Sequence, residues 1–214
     1  MVTGIVLFGP PGAGKGTQSA LLKSKLSMAH ISSGDLFREN MKKKTDLGQE
    51  AQKYLDAGKL VPDSITIGMV EDVLKKLEGR KFVLDGFPRT VQQADALETI
   101  LGGNGMQLKR AVFLDVPGGK LMGRLTGRRI CEKCGENYHV ESKAPKQSGV
   151  CDKCGSKLVQ RPDDREEVIA TRLQAYEDST RPLRDYYKIK GIYIEVDGVG
   201  ETEEIFGRIQ KAIS

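Results

Sequence analysis

Short unbroken apolar runs alternate along the chain with stretches in which apolar residues recur every three or four positions. The runs are Ile5 to Phe8, Phe82 to Asp85, Ala111 to Val116 and Ile192 to Val196, with a weaker one at Met28 to Ser32. Runs this short, bounded by glycine or polar residues, predict strands buried on both faces. Helical spacing marks Leu21, Leu22 and Leu26 in a helix over Thr17 to Leu26, and Ile65, Ile67, Val70, Val73, Leu74 and Leu77 in another over Asp63 to Leu77. Further helices are predicted over Thr90 to Leu101, Lys120 to Arg129 and Glu201 to Ile213. A long one opens at Asp163 and Asp164 and runs through Val168, Ile169, Leu173 and Tyr176, with a break at Pro182 before it ends near Lys190. Leu36 to Asp56 is polar and helix-prone, bounded by Gly58 and Pro62, and reads as one helical excursion. Strands separated by helices predict an α/β fold, a five-stranded parallel sheet with helices on both faces.

Between Ile130 and Gln160 the pattern changes. Apolar content falls, turn residues accumulate, and all four cysteines appear as Cys131-x-x-Cys134 and Cys151-x-x-Cys154, with sixteen residues between the pairs. That spacing suits a tetrahedral Zn²⁺ site with a small β-hairpin between two knuckles, and disulfides are the alternative. A site closed by four sulfurs leaves no position for substrate, so the metal would be structural. A lobe of this size buries too little on its own and needs the staple.

Composition narrows the classes. The chain has 214 residues, 38% of them hydrophobic and 29% charged, with no apolar run long enough to span a membrane. It passes from Met1 directly into a strand without the features of a secretory leader, which makes the cytoplasm the expected location. A net charge of +5 suits anionic partners without distinguishing nucleotides from nucleic acid. Lys42-Lys43-Lys44 reads as a solvated helix face. No exposed heptad points to assembly, and a monomer is expected.

The strongest chemical signal comes directly after the first strand: Gly9-Pro10-Pro11-Gly12-Ala13-Gly14-Lys15-Gly16-Thr17. Glycines allow the backbone to curl with its N–H groups inward, and the next helix contributes its positive end. The stretch therefore reads as a phosphate-binding loop, with Lys15 reaching the β- and γ-phosphates and the Thr17 hydroxyl touching a nucleotide-borne Mg²⁺. Gly16 displaces the hydroxyl residue by one position from its usual place after the lysine. Asp85, closing the strand at Phe82 to Leu84, stands where enzymes with such loops carry a metal-organising carboxylate. His30 and His139 lie outside any triad pattern and read as structural.

The loop with its extra Gly16, the run Phe82-Val83-Leu84-Asp85-Gly86-Phe87-Pro88-Arg89, the set Ser33-Gly34-Asp35 with Arg38, the stretch Gly58-Lys59-Leu60-Val61, and the cysteine lobe ending in Arg161-Pro162-Asp163-Asp164 all occur in this one chain. Together they resemble the adenylate kinases, nucleoside-monophosphate kinases of the long-lid form, over nearly the whole length. The resemblance implies a P-loop core of residues 1–31, 62–126 and 165–214, a monophosphate-binding insertion at 32–61 and a zinc-binding lid at 127–164. It implies reversible transfer of the γ-phosphoryl of MgATP to AMP, giving two ADP, in the service of adenine nucleotide balance. By position, Gly12, Ala13, Gly14, Lys15, Gly16 and Thr17 would hold ATP, with Arg128 and Tyr138 from the lid and Gly200 at the adenine. Ser33, Arg38, Lys59, Leu60, Val61, Gly86, Phe87, Pro88, Arg89 and Gln93 would hold AMP, and Arg124, Arg161 and Arg172 would complete a charge clamp around Lys15 and Arg89.

A phosphate acceptor is already ionised, so positioning and electrostatics suffice and no general base is expected. Asp163 and Asp164 serve either as caps for the long helix or as a latch between lid and core. Two rival readings remain: a relative that uses another monophosphate or GTP, its choice depending on Lys59 to Val61 and Gln93, and a zinc-ribbon ATPase that grips nucleic acid. Against the second, the cysteine lobe offers no aromatic platform beyond Tyr138. Neither nucleic acid nor membrane is an expected partner.

Overall fold

The computed structural model describes residues 2–214. Its centre is a five-stranded sheet in the order β2-β3-β1-β4-β8, formed by β1 (Val2–Phe8), β2 (Ala29–Ser32), β3 (Phe82–Asp85), β4 (Met106–Asp115) and β8 (Tyr193–Asp197). All pairings in it are parallel, with Ile5 opposite Val83 on one side and Val112 opposite Ile194 further out. The expected parallel sheet is present, and β4 starts earlier than its apolar run because Met106 to Arg110 alternate in exposure as they pair with β1.

Successive strand residues face opposite sides, and each side has its own core. Val6, Phe8, Leu84, Ala111 and Phe113 pack with α4 (Asp63–Leu74), α5 (Val91–Gly103) and α8 (Leu183–Ile189) through Val70, Leu74, Leu97 and Tyr187. Ile5, Leu7, Val83, Val112 and Leu114 pack with α1 (Lys15–Leu26), α6 (Gly118–Thr126) and α9 (Thr202–Ile213) through Leu22, Leu121, Phe206 and Ile209. Burial on both sides accounts for the continuous apolar strands.

Two excursions keep separate apolar clusters. The first consists of α2 (Ser33–Lys42) and α3 (Asp46–Asp56), where Phe37, Ala51 and Val61 pack together. The single helix expected over Leu36 to Asp56 is thus two. Lys44 takes a left-handed φ of 55°, and Thr45 restarts the helix by accepting the Gly48 N–H at 3.1 Å. A Cβ on Gly48 would lie 2.3 Å from the Asn40 carbonyl carbon, so glycine is what lets the pair cross closely. Lys42 to Lys44 stand exposed at the end of α2, where positive charge complements the helix dipole.

The second excursion is a three-stranded antiparallel sheet, β5 (Arg128–Cys131) flanked by β6 (Asn137–His139) and β7 (Leu158–Val159). Here the helix expected over Lys120 to Arg129 stops at Thr126, and Arg128 and Arg129 belong to β5 instead. After β7 a 3-10 turn (Pro162–Asp164), α7 (Glu166–Ala175) and a π turn (Tyr176–Thr180) lead into α8. None of the helices among the described residues is long and apolar enough to cross a membrane.

Candidate active site at the carboxyl ends of the strands

β1 delivers the glycine loop to the sheet's carboxyl edge, the place where open α/β folds bind ligands. Gly9 has φ 143° and its missing Cβ would lie 2.7 Å from the Leu114 carbonyl oxygen, so the loop's exit passes directly over the neighbouring strand. Gly14, left-handed at φ 95°, precedes α1, which starts at Lys15 rather than Thr17 and has no side-chain cap. The N–H groups of that first turn are therefore left facing the loop's concavity, a ready anion site. Lys15 folds back across it, its Nζ donating to the carbonyls of Gly9 at 2.8 Å and Pro10 at 2.9 Å.

Burial pushes Lys15 down to about 7, aided by Arg89, Arg172 and Arg128, and Asp85 alone pulls the other way. Burial, then Arg172, also holds Arg89 below the usual arginine range. Arg161 is depressed by burial and by Arg38 and Arg128. These mutual effects define one group of six cations, Lys15, Arg38, Arg89, Arg128, Arg161 and Arg172, drawn from the start of α1, from α2, the β3 exit, β5, the residue before the 3-10 turn and α7. Packing like charges is unfavourable unless a polyanion lies among them.

Asp163 and Asp164 offset part of this charge. Asp164 is fully buried and accepts from Arg128 Nε at 2.7 Å and from Arg172 Nη1 at 2.7 Å, while Asp163 pairs with Arg172 at 3.1 Å. The cap alternative falls, because α7 begins at Glu166 without a side-chain cap. Both aspartates latch the lid arm to α7.

Asp85 lies beside the helix start: a Cβ on Gly16 would sit 3.4 Å from its Oδ2. The carboxylate thus stands against α1 one residue before Thr17, at a distance an ordinary side chain at position 16 would also tolerate. His30 Nε2 stands 3.5 Å from the same oxygen, a neighbour that the sequence pattern did not single out. His139 is structural, its Nδ1 accepting from the N–H groups of Glu141 and Ser142 at 3.1 and 3.2 Å.

A second, smaller pocket is lined by Ser33, Lys59, Leu60, Val61, Gly86, Arg89 and Gln93. The Gly86 carbonyl organises its mouth, accepting from Ser33 Oγ at 2.6 Å and Arg89 Nε at 2.9 Å. Arg38 is tied to Asp35 one turn earlier. Gln93 is nearly fully buried, with Oε1 accepting the Arg89 N–H at 2.8 Å and Nε2 donating to Asp63 Oδ1 at 2.7 Å, so its amide orientation is set from both sides. Phe87 and Pro88 turn into the protein, and Phe87 belongs to the main core. Neither lines the pocket. A larger cavity of about 220 Å³ opens between Thr3, Lys81 and Lys109 at the opposite end of the sheet, away from every group described above.

Two expected site residues stand elsewhere. Arg124 does not join the cations; its Nη2 donates to the Gly198 carbonyl at 3.0 Å and Asp197 is its counter-charge. Four residues separate it from Arg128, but α6 ends between them, so they do not share a face. Arg124 instead lies by the loop that carries Gly200, whose φ is 127°. Tyr138 is buried in the lid with Cys131, Cys151 and Leu158, its hydroxyl accepting the Asp152 N–H at 2.8 Å. A three-stranded lid this small draws its one aromatic ring inward, and the side chain is not offered to a nucleotide.

The cysteines are free and gathered, their four Sγ atoms all within 4.8 Å of one another, with 3.4 Å between Cys131 and Cys154 and 3.6 Å between Cys134 and Cys151. Zn–S bonds near 2.3 Å require edges of about 3.8 Å, so the set fits the metal. Gly135 and Gly155, at φ 73° and 71°, each donate to the carbonyl four residues back, giving both knuckles the same turn.

Comparisons with known proteins agree with this geometry. The family model described as adenylate kinase matches residues 7–192. An adenylate kinase of Syntrophobacter fumaroxidans is 50% identical over 206 residues, 96% of this chain and 97% of its own. Those of Clostridium tetani and Methanothrix thermoacetophila are 48% identical over 210 residues and 47% over 211, each with at least 97% of both chains covered. A family model matching residues 7–192 and relatives about half identical over nearly the whole of both chains make this chain a member of the adenylate kinase family.

Proposed function

We propose that the chain transfers the γ-phosphoryl group of MgATP reversibly to AMP, giving two ADP, and that it does so by electrostatic clamping without a general base. The observation that carries this is the convergence of Lys15, Arg38, Arg89, Arg128, Arg161 and Arg172 between the glycine loop and the small pocket. Two phosphate-bearing substrates meeting end to end would place the transferring group among these cations. Its transition-state charge lies on oxygens that need fixed positive partners, and an arginine so placed contributes on the order of 10³ to 10⁵ in rate.

The loop backbone and Lys15 hold the donor phosphates, Arg128 closes on them from the lid, and Arg124 with the Gly200 loop lies on the adenine side. Ser33, Arg38, Lys59 to Val61 and the Gly86 to Arg89 stretch hold the acceptor, with Gln93 facing its base. Mg²⁺, when bound with ATP, neutralises and orients the phosphate oxygens, and Thr17 and Asp85 are the residues that would hold it. Zn²⁺ in the four thiolates fastens the lid without entering the chemistry. The helical insertion at 32–61 and the lid at 127–164 act as moving domains that shut water out before transfer and open to release product.

A panel assay tests the acceptor. Protein, Mg²⁺ and ATP are mixed with AMP, CMP, UMP, GMP or dTMP in separate tubes and products are separated chromatographically. ADP formation with AMP and little transfer to the others is expected; transfer to another monophosphate overturns the substrate, and no transfer with any overturns the activity.

A further inference from the structure

The arm beyond the lid carries a feature that the phosphate chemistry does not use. Between α7 and α8 the chain makes its π turn, in which the Arg181 N–H donates five residues back to the Tyr176 carbonyl at 2.9 Å. Such turns hold one residue more than an α-helical turn and recur at functional sites. Here the added residue brings Thr180 inward. Thr180 is only 6% exposed, and its hydroxyl donates to the Arg89 carbonyl at 2.9 Å, between positions 91 residues apart. A helical threonine ordinarily returns its hydroxyl to the carbonyl one turn back. Removing one residue from the turn would rotate the remainder of the helical arm by about 100° around the axis and break this contact.

Arg89 is consequently held at three points. Its N–H donates to Gln93, its Nε to Gly86, and its carbonyl accepts from Thr180. The first two grips come from its own loop and from α5. The third comes from the π turn that directly follows α7, the helix carrying Arg172, whose guanidinium binds Asp163 and Asp164.

We propose that Thr180, presented by the π turn, is a positioning residue for Arg89 and thereby sets the affinity for the acceptor phosphate. The inference rests on the reading of Arg89 as an acceptor-binding residue. Loss of the hydroxyl would leave the Arg89 carbonyl without this partner and let the guanidinium drift from its place, weakening AMP more than ATP.

The test compares Thr180→Val, which keeps the volume and removes the donor, with Thr180→Ser, which keeps the donor. AMP binding is measured by calorimetry without ATP, alongside steady-state kinetics and thermal melting. Thr180→Val is expected to raise both the Kd and KM for AMP about tenfold, as loss of one buried hydrogen bond would, with the KM for ATP within about twofold. Thr180→Ser is expected to restore AMP binding to within about twofold of the wild-type chain. An unchanged AMP Kd in Thr180→Val overturns the inference, as does equal weakening of both substrates with a lowered Tm, or a serine variant no better than valine. A wild-type chain that transfers to AMP, with AMP binding unaltered in Thr180→Val, separates this failure from failure of the acceptor reading, in which the wild-type chain would not bind AMP at all.

Discussion

Lys15 shows how much of the site's behaviour resides in single side chains. Its folded-state value of about 7 lies well below the usual 10.5. Below pH 7 it is charged whether the chain is folded or not, and the whole burial penalty weighs on the fold. Between about pH 7 and 10.5 the unfolded chain keeps the proton that the folded one sheds, so this residue makes stability rise with pH across that window. Polyphosphate beside Lys15 restores its charge. At about pH 8, where the γ-phosphate is fully ionised, ATP binding should therefore take up about one proton, measurable by calorimetry in buffers of different ionisation enthalpy. Lys15→Met should abolish the uptake, and a wild-type chain that binds without it would contradict the assignment. Asp164 acts on its neighbours in a related way: Arg128 and Arg172 share this one fully buried carboxylate, which holds both guanidiniums in place.

Among the elements, the lid depends most on something other than its own core. Its buried cluster consists of Cys131, Tyr138, Cys151 and Leu158 with Cys154 against it, so three of the four cysteines positioned to hold a metal are themselves much of the hydrophobic interior. Removing Zn²⁺ should loosen β5 to β7 and lower the Tm while the central sheet, with its two independent cores, stays folded. Hydrogen exchange after chelation is the measurement. Faster exchange confined to 127–164 is expected, and a chelated, folded protein that loses all phosphoryl transfer with its Tm unchanged would overturn a structural role. The strands are readable from sequence because burial on both faces leaves unbroken apolar runs. The break at Lys44 is not, since a left-handed lysine and a threonine cap carry no periodicity signal, whereas the end of α6 does have a mark in Gly127, its C-cap, which the basic residues continuing beyond it mask.

For the molecule as a whole, topology does what sequence order cannot. The carboxyl ends of β1 and β3, the stretch after the cysteine lobe and α7 bring Lys15, Arg89, Arg161 and Arg172 together from positions far apart. The motifs around Lys15, Arg38, Arg89 and Arg161 announce the site in advance, while Arg172 stands in no local motif. Arg128 and Arg172 are legible as cations but not as partners of one buried aspartate. Arg124 and Tyr138 are expected at the site by likeness of position, and the end of α6 and the small lid core turn their side chains elsewhere. Thr180 carries no signal at all, because a π turn has no pattern of its own. The central claim is a reversible exchange between two nucleotides held in one clamp, and a single incubation addresses it: MgADP alone, with products separated by chromatography. Equal amounts of ATP and AMP appearing together, at a rate that falls steeply in Arg89→Lys, is the predicted result. Phosphate release without AMP, or no change in ADP, would contradict it.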